Sequence, residues 1–130
     1  MEMKLELVPV PVSDIDEAKR FYVEKVGFQA DHDVQPSNGM RVCQLTPTGS
    51  SCSILLGSGL GEITDTPPGS VKGLHLVVKD INQIRKSLAG RGVEVGEVMN
   101  MGGVLFARFA DPDGNSWMLQ EVPPVLKRPD

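Results

Sequence analysis

The sequence lacks most features that mark membrane proteins and disulfide-stabilised proteins. Its 130 residues contain only two cysteines, and aromatic residues make up 5% of the chain. No uninterrupted apolar run approaches the roughly 20 residues of a membrane-spanning helix, and the opening Met-Glu-Met-Lys is not the apolar stretch of a signal peptide. We therefore expect a cytoplasmic protein with no membrane partner.

Positive charge is also scarce. Thirteen Lys and Arg residues against seventeen Asp and Glu residues give a formal net charge of −4, and no basic run exceeds two residues. Nucleic acid is therefore not expected as a partner. The two cysteines belong to no Cys-x-x-Cys pair, which excludes a zinc-finger set. With 40% hydrophobic and 23% charged residues, the composition predicts one globular domain over residues 1–130.

An internal repeat is the most informative feature that the sequence does contain. When the chain is aligned with itself at an offset of 65 or 66 residues, helix starts, glycines and turns match in the same order. The matched pairs are Val12–Ile15 with Val78–Ile81, Gly27 with Gly92, and Thr46–Ser51 with Asp111–Ser116. This order predicts a duplicated supersecondary unit.

Each unit reads as one strand, one helix and three strands. The predicted fold class is α+β, with tandem βαβββ units at residues 5–57 and 72–122, a Gly- and Pro-rich linker at 58–71 and a disordered tail at 123–130. Asp14 and Asp80 are the predicted helix N-caps, and Gly27 is the predicted end of the first helix.

The turn Asp111–Asn115 predicts the register of the last hairpin. Pro, Asp and Gly suit successive positions of this tight turn. Phe109 is then opposite Trp117, and Arg108 is opposite Met118 on the other face.

The same reasoning in the first unit places Cys43 opposite Ser53 and Gln44 opposite Cys52. The two thiols would then point to opposite faces, and we expect no disulfide between them.

The ordered set of motifs resembles the vicinal oxygen chelate superfamily, which includes glyoxalase I, bleomycin-resistance and extradiol dioxygenase proteins. The resemblance rests on Val-Ser-Asp-Ile-Asp-Glu-Ala-Lys-Arg-Phe-Tyr, on Lys-Val-Gly-Phe and on Asp-Pro-Asp-Gly-Asn, and it covers about residues 5 to 122. It implies a cup-shaped mixed sheet with helices on its outer face, built within one chain or across a homodimer, that encloses a small organic ligand.

The resemblance also implies four metal-ligand positions, and none carries a usual ligand. They fall on Leu7, Ser53, Gly73 and Met118, whereas divalent ions of this kind are held by imidazole or carboxylate groups. We therefore predict no metal and no other cofactor. An alternative site built from His32, His75 and Glu121 stays open.

Strand alternation selects the candidate ligand-binding residues. Leu74 and Leu76 would pack under the helix and leave His75, the best catalytic candidate, on the opposite face. Two sets of residues are predicted to line the pocket: His75, Phe106, Arg108, Met118 and Gln120 in the second unit, and Arg41, Cys43 and Ser53 in the first. Arg108 could pair with an anionic ligand group.

Two functions remain open from the sequence. The first is a metal-free small-molecule binding protein of the bleomycin-resistance type. The second is a lyase, isomerase or dioxygenase that uses an unusual metal site or acid-base chemistry by His75.

Overall fold

Both halves of the chain form a strand, a helix and three strands. The computed structural model describes residues 1–126. The helices are α1 (Ile15–Arg20) and α2 (Ile81–Gly90), and the strands are β1 (Leu7–Pro9), β2 (Gln29–Val34), β3 (Arg41–Thr46), β4 (Ser53–Ser58), β5 (Leu74–Val77), β6 (Met99–Met101), β7 (Val104–Ala110) and β8 (Ser116–Glu121). Sheet 1 has the order β1-β4-β3-β2, and sheet 2 has the equivalent order β5-β8-β7-β6. The predicted α+β class and repeat are confirmed.

The chain divides into two compact units. Unit 1 comprises Met1–Val71 and Asp111–Asn115, and unit 2 comprises Lys72–Ala110 and the chain from Ser116 onward. The hairpin turn of the second repeat thus belongs to unit 1, which the predicted boundaries did not anticipate. One domain over residues 1–130 stays a prediction. None of the helices within residues 1–126 is both long and apolar enough to cross a membrane.

Both α-helices begin at the capping residues that the sequence predicts. The side chains of Asp14 and Asp80 accept hydrogen bonds from the backbone N–H groups of Glu17 and Gln83, at 3.0 and 3.1 Å, and confirm both N-caps. The predicted disordered tail instead contains a short 3-10 helix at Pro124–Leu126, and residues 127–130 lie outside the described part.

The predicted first helix is not a regular α-helix along its whole length. It continues beyond α1 as a π-helix over Phe21–Val26 and ends at Gly27, whose φ is 90°. Tyr22 in this segment is fully buried, and its ring stacks on Phe28 with 5.4 Å between centroids. Its hydroxyl donates a hydrogen bond of 2.8 Å to Asp111. The π-helical segment therefore coincides with the contact from Tyr22 to Asp111, which is distant in sequence. The spacing of apolar residues along the helix cannot predict such a contact.

A network of hydrogen bonds surrounds the turn Asp111–Asn115 in unit 1. Asp111 is 5% exposed, and its carboxylate accepts bonds from the Tyr22 hydroxyl, the Asn115 side-chain amide and the backbone N–H groups of Asp113 and Asn115. Fully buried Asn115 donates in turn to the Pro11 carbonyl at 2.7 Å. The turn is therefore held by its own residues and by the N-terminal part of the chain.

The register of sheet 2 confirms the prediction from this turn. Phe109 pairs with Trp117, and Arg108 pairs with Met118. The rings of Phe109 and Trp117 stack with centroids 6.2 Å apart on the buried side, where α2 contributes Ile81.

The predicted register of sheet 1 is wrong by three residues. Cys43 pairs with Leu56 rather than Ser53, and Gln44 pairs with Leu55 rather than Cys52. A turn closes with a bond from Ser50 N–H to the Pro47 carbonyl, and two further residues then extend the loop before β4. Because an odd shift exchanges the faces of a strand, Cys43 and Ser53 point to opposite sides of this sheet.

Candidate functional site

Sheet 2 presents one face that is turned away from its buried core. Along β7 and β8 the buried residues alternate with the exposed or half-buried residues that the sequence selected. We call this side the open face of sheet 2; it carries His75, Val77, Met99, Phe106, Arg108, Met118 and Gln120. All five predicted residues of the second unit lie on it. Their role in binding stays a prediction.

The open face is arranged in two rows that run across the strands. In one row, Met118 is the cross-strand partner of both His75 and Arg108. In the next row, Gln120 is the partner of both Val77 and Phe106. Polar groups thus alternate with apolar ones at close spacing, as in pockets that hold organic molecules.

Much of this face is apolar and accessible. Val77 is 69% exposed, Met99 50% and Met101 63%. Phe106 and Met118, on the two central strands of sheet 2, are half-buried. Large apolar side chains that are exposed on one face of a sheet mark a candidate interaction surface.

The orientation of His75 is set by the backbone. Its Nδ1 lies 2.6 Å from the Gly73 carbonyl oxygen, which can only accept, so Nδ1 carries the proton. The imidazole ring meets Phe106 edge-on, with 5.9 Å between centroids. In the neutral ring, Nε2 is therefore a hydrogen-bond acceptor, and it has no partner within residues 1–126.

Sheet 1 carries a polar chain that the sequence analysis missed. The Gln44 amide donates to the Ser53 hydroxyl at 3.1 Å, the hydroxyls of Ser53 and Thr46 are 2.6 Å apart, and Thr46 donates to the Asp31 carboxylate. Because a carboxylate only accepts, the chain runs in one direction from Gln44 to Asp31. Exposed His32 pairs with Gln44 across the strands. The correct register would have grouped these residues, but the sequence of the loop before β4 does not reveal its extra length.

The other two predicted residues of the first unit lie on the opposite side of sheet 1. Arg41 forms ion pairs of 2.8 Å with Asp16 and Asp33, and Lys19 pairs with the same Asp33. Cys43 is fully buried, and burial raises the pKa of its thiol. Arg41 is therefore occupied within the protein, and Cys43 lacks the exposure and lowered pKa of a reactive thiol.

The ion-pair cluster predicts a loss of stability in acid. Hydrogen bonds from Arg41 and Lys19 hold the pKa of the Asp33 carboxyl far below its usual value. Because the folded-state pKa is depressed, the stabilisation is present above the unfolded pKa of about 3.9 and is lost as the pH falls below it.

Replacing Asp33 by Asn is expected to cost about 1 kcal/mol at neutral pH, a small value because the Asp33 and Arg41 side chains are 24% and 19% exposed. Urea unfolding of both proteins would show this difference shrinking from about pH 5 downward. If the difference in unfolding free energy between the two proteins stays constant to about pH 2, the ion pairs of Asp33 do not stabilise the fold as described.

The donors present do not fit a family-type metal centre. At the four implied positions, Leu7 offers only hydrocarbon, Ser53 a hydroxyl, Gly73 no side-chain donor and Met118 a thioether. Leu7 pairs with Ser53, and Met118 pairs with His75. The alternative with Glu121 does not converge either, because its carboxylate accepts a bond of 2.8 Å from the Ile81 N–H, on the side of sheet 2 opposite His75. Within residues 1–126 there is no cluster of three His, Cys, Asp or Glu side chains suited to an ion.

Comparison with known proteins agrees with this architecture. The profile of the Glyoxalase/Bleomycin resistance protein/Dioxygenase superfamily matches residues 4–119. The chain belongs to this superfamily. The crystal structure of TnmS3 from Streptomyces sp. CB03234, which is described as an antibiotic binding protein, is 38% identical, with a TM-score of 0.82 over 94% of this chain and 98% of that one.

Two further bacterial proteins are similar over nearly the whole chain. A glyoxalase/bleomycin resistance protein/dioxygenase superfamily member from Sphaerobacter thermophilus is 32% identical, with a TM-score of 0.81 over 93% of this chain and 98% of that one. The uncharacterized protein YetH of Bacillus subtilis is 29% identical over 93% of this chain and all of its own length.

Proposed function

We propose that this protein binds a small organic molecule on the open face of sheet 2 without using a metal. The observation that carries the proposal is the single accessible face on which Phe106 and Met118 lie beside His75, Arg108 and Gln120. Apolar side chains interrupted by a few polar groups are the usual lining of small-molecule sites. The likeness to an antibiotic binding protein over almost the whole chain supports the same class of function.

The proposal includes a cytoplasmic homodimer. A second copy would cover part of the exposed Val77, Met99 and Met101, and thus remove apolar surface from water. The molar mass in solution distinguishes a dimer from the 14.0 kDa monomer.

A thermal-shift screen of aromatic and antibiotic compounds tests ligand binding. A ligand at about 100-fold its Kd is expected to stabilise the folded protein by about 2.7 kcal/mol and to raise its Tm. Binding should persist in a chelator. Replacing Phe106 by Ala removes an apolar wall and is expected to weaken binding about 10-fold, as measured by calorimetry.

The control for that experiment is Ile63→Ala in the linker, where the side chain is 47% exposed and belongs to unit 1, whereas Phe106 belongs to unit 2. This variant should bind as the original protein does. The proposal is contradicted if no compound raises the Tm, or if Phe106→Ala and Ile63→Ala bind equally well.

An enzyme that uses His75 is the second candidate. The bond from Nδ1 to the Gly73 carbonyl leaves Nε2 as an oriented base, which is the arrangement that general base catalysis requires. Turnover of a bound compound that is abolished by His75→Ala, with binding retained, would favour this lyase or isomerase function over binding alone.

A further inference from the structure

Charge on the open face of sheet 2 has one sign. Arg108 is exposed, and no carboxylate of residues 1–126 forms an ion pair with it. The four strands contain a single acidic residue, Glu121, and its carboxylate is bound to the Ile81 N–H on the other side of the sheet. In a chain of net charge −4, this face therefore offers a guanidinium to a ligand without a competing internal acid.

His75 contributes a second recognition point of a different kind. Its Nδ1–H is used by the Gly73 carbonyl, so the neutral ring presents only the acceptor Nε2. An acceptor next to apolar Phe106 favours a ligand group that can donate a hydrogen bond, such as a hydroxyl.

The spacing of the two groups defines the length of the ligand. His75 and Arg108 flank Met118 on the two adjacent strands, which places their backbones about 10 Å apart. Two fused aromatic rings would span this gap over the adaptable Met118 thioether, with Phe106 at the side.

From this arrangement we infer that the ligand is an elongated aromatic anion, with an acidic group held by Arg108 and a hydroxyl group held by His75. The inference rests on the proposed function and adds the charge and shape of the ligand. A guanidinium binds a carboxylate through two parallel N–H···O bonds, whereas it repels a cation. The site therefore selects anionic ligands over neutral and cationic ones of the same shape.

The experiment uses a hydroxynaphthoate with its carboxylate and hydroxyl at opposite ends. Calorimetry at about pH 8 compares it with its methyl ester and its methoxy analogue. The parent acid is expected to bind about 10- to 100-fold more tightly than the ester, and about 5- to 10-fold more tightly than the methoxy compound.

Two variants separate the recognition points. Arg108→Gln should abolish the preference for acid over ester and keep the preference for hydroxyl over methoxy. His75→Asn, which can still donate to the Gly73 carbonyl but lacks an Nε2, should do the reverse. The control Arg20→Gln makes the same charge change at the end of α1 in unit 1 and should alter neither preference.

Each other outcome has a definite meaning. Equal binding of acid and ester, or tighter binding of an aminomethyl analogue, overturns the inference while the proposed function stands. If a compound of the thermal-shift screen binds but no naphthalene compound does, the inference alone is overturned. If neither set contains a compound that binds, both the inference and the ligand site on this face are rejected.

Discussion

Replacing Asp111 by Ala is expected to lower the free energy of unfolding by about 3–5 kcal/mol. The carboxylate is buried and accepts four hydrogen bonds, so its removal breaks the bonds of 2.8 Å that the Tyr22 hydroxyl and the Asn115 amide each donate to it. Buried donors that lose a partner keep the full cost of desolvation. Urea unfolding followed by circular dichroism measures the loss.

Tyr22→Phe is the matched control for Asp111. It removes one of the four bonds and keeps the ring that stacks on Phe28, so the expected loss is only about 1–2 kcal/mol. The assigned role of Asp111 fails if Asp111→Ala is no more costly than Tyr22→Phe.

Gly69→Ala is expected to destabilise unit 1 by about 3 kcal/mol or more. Gly69 has a φ of 81°, and a Cβ atom there would meet the Asp113 carbonyl oxygen at 2.1 Å. The backbone would have to move to admit the Cβ atom. The hydrogen bond of 3.1 Å from the Gly69 N–H to the Pro11 carbonyl opposes that movement. Both the left-handed conformation and the close approach oppose a side chain.

Gly49→Ala separates these two causes. Gly49 has a φ of 87°, but an added Cβ there would meet nothing within 4 Å. Its expected cost is therefore only the backbone conformation, about 1–2 kcal/mol. Thermal unfolding of both variants tests the comparison, and equal losses would show that the contact with Asp113 does not limit position 69.

The hairpins explain why one register was predictable from sequence and the other was not. In the hairpin of the second repeat, the Asp111 side chain accepts hydrogen bonds from the N–H groups of Asp113 and Asn115, so the five-residue turn carries its own geometry. In the first hairpin, Ser50 bonds instead to the backbone of Cys52, which lengthens the loop. The two loops look alike in composition, and the difference moves Ser53 to the other face.

The candidate site was predictable where alternation alone decides the outcome. His75 and Arg108 were placed on one face by strand parity and by the turn at Asp111–Asn115, and the pairing confirms that placement. The acceptor state of His75 was not predictable, because it depends on the distance to a backbone carbonyl. The ion pairs of Arg41 were not predictable either, because the fold brings Asp33 and Asp16 next to it.

The discontinuous make-up of unit 1 has a consequence during synthesis on the ribosome. Residues Asp111–Asn115 belong to this unit, so Tyr22 and the Pro11 carbonyl gain these hydrogen-bond partners only after the turn of the second repeat has been translated. A nascent fragment that ends at Val71 lacks five residues of its own unit. Completion of the amino-terminal half is thus coupled to the arrival of the carboxyl-terminal half.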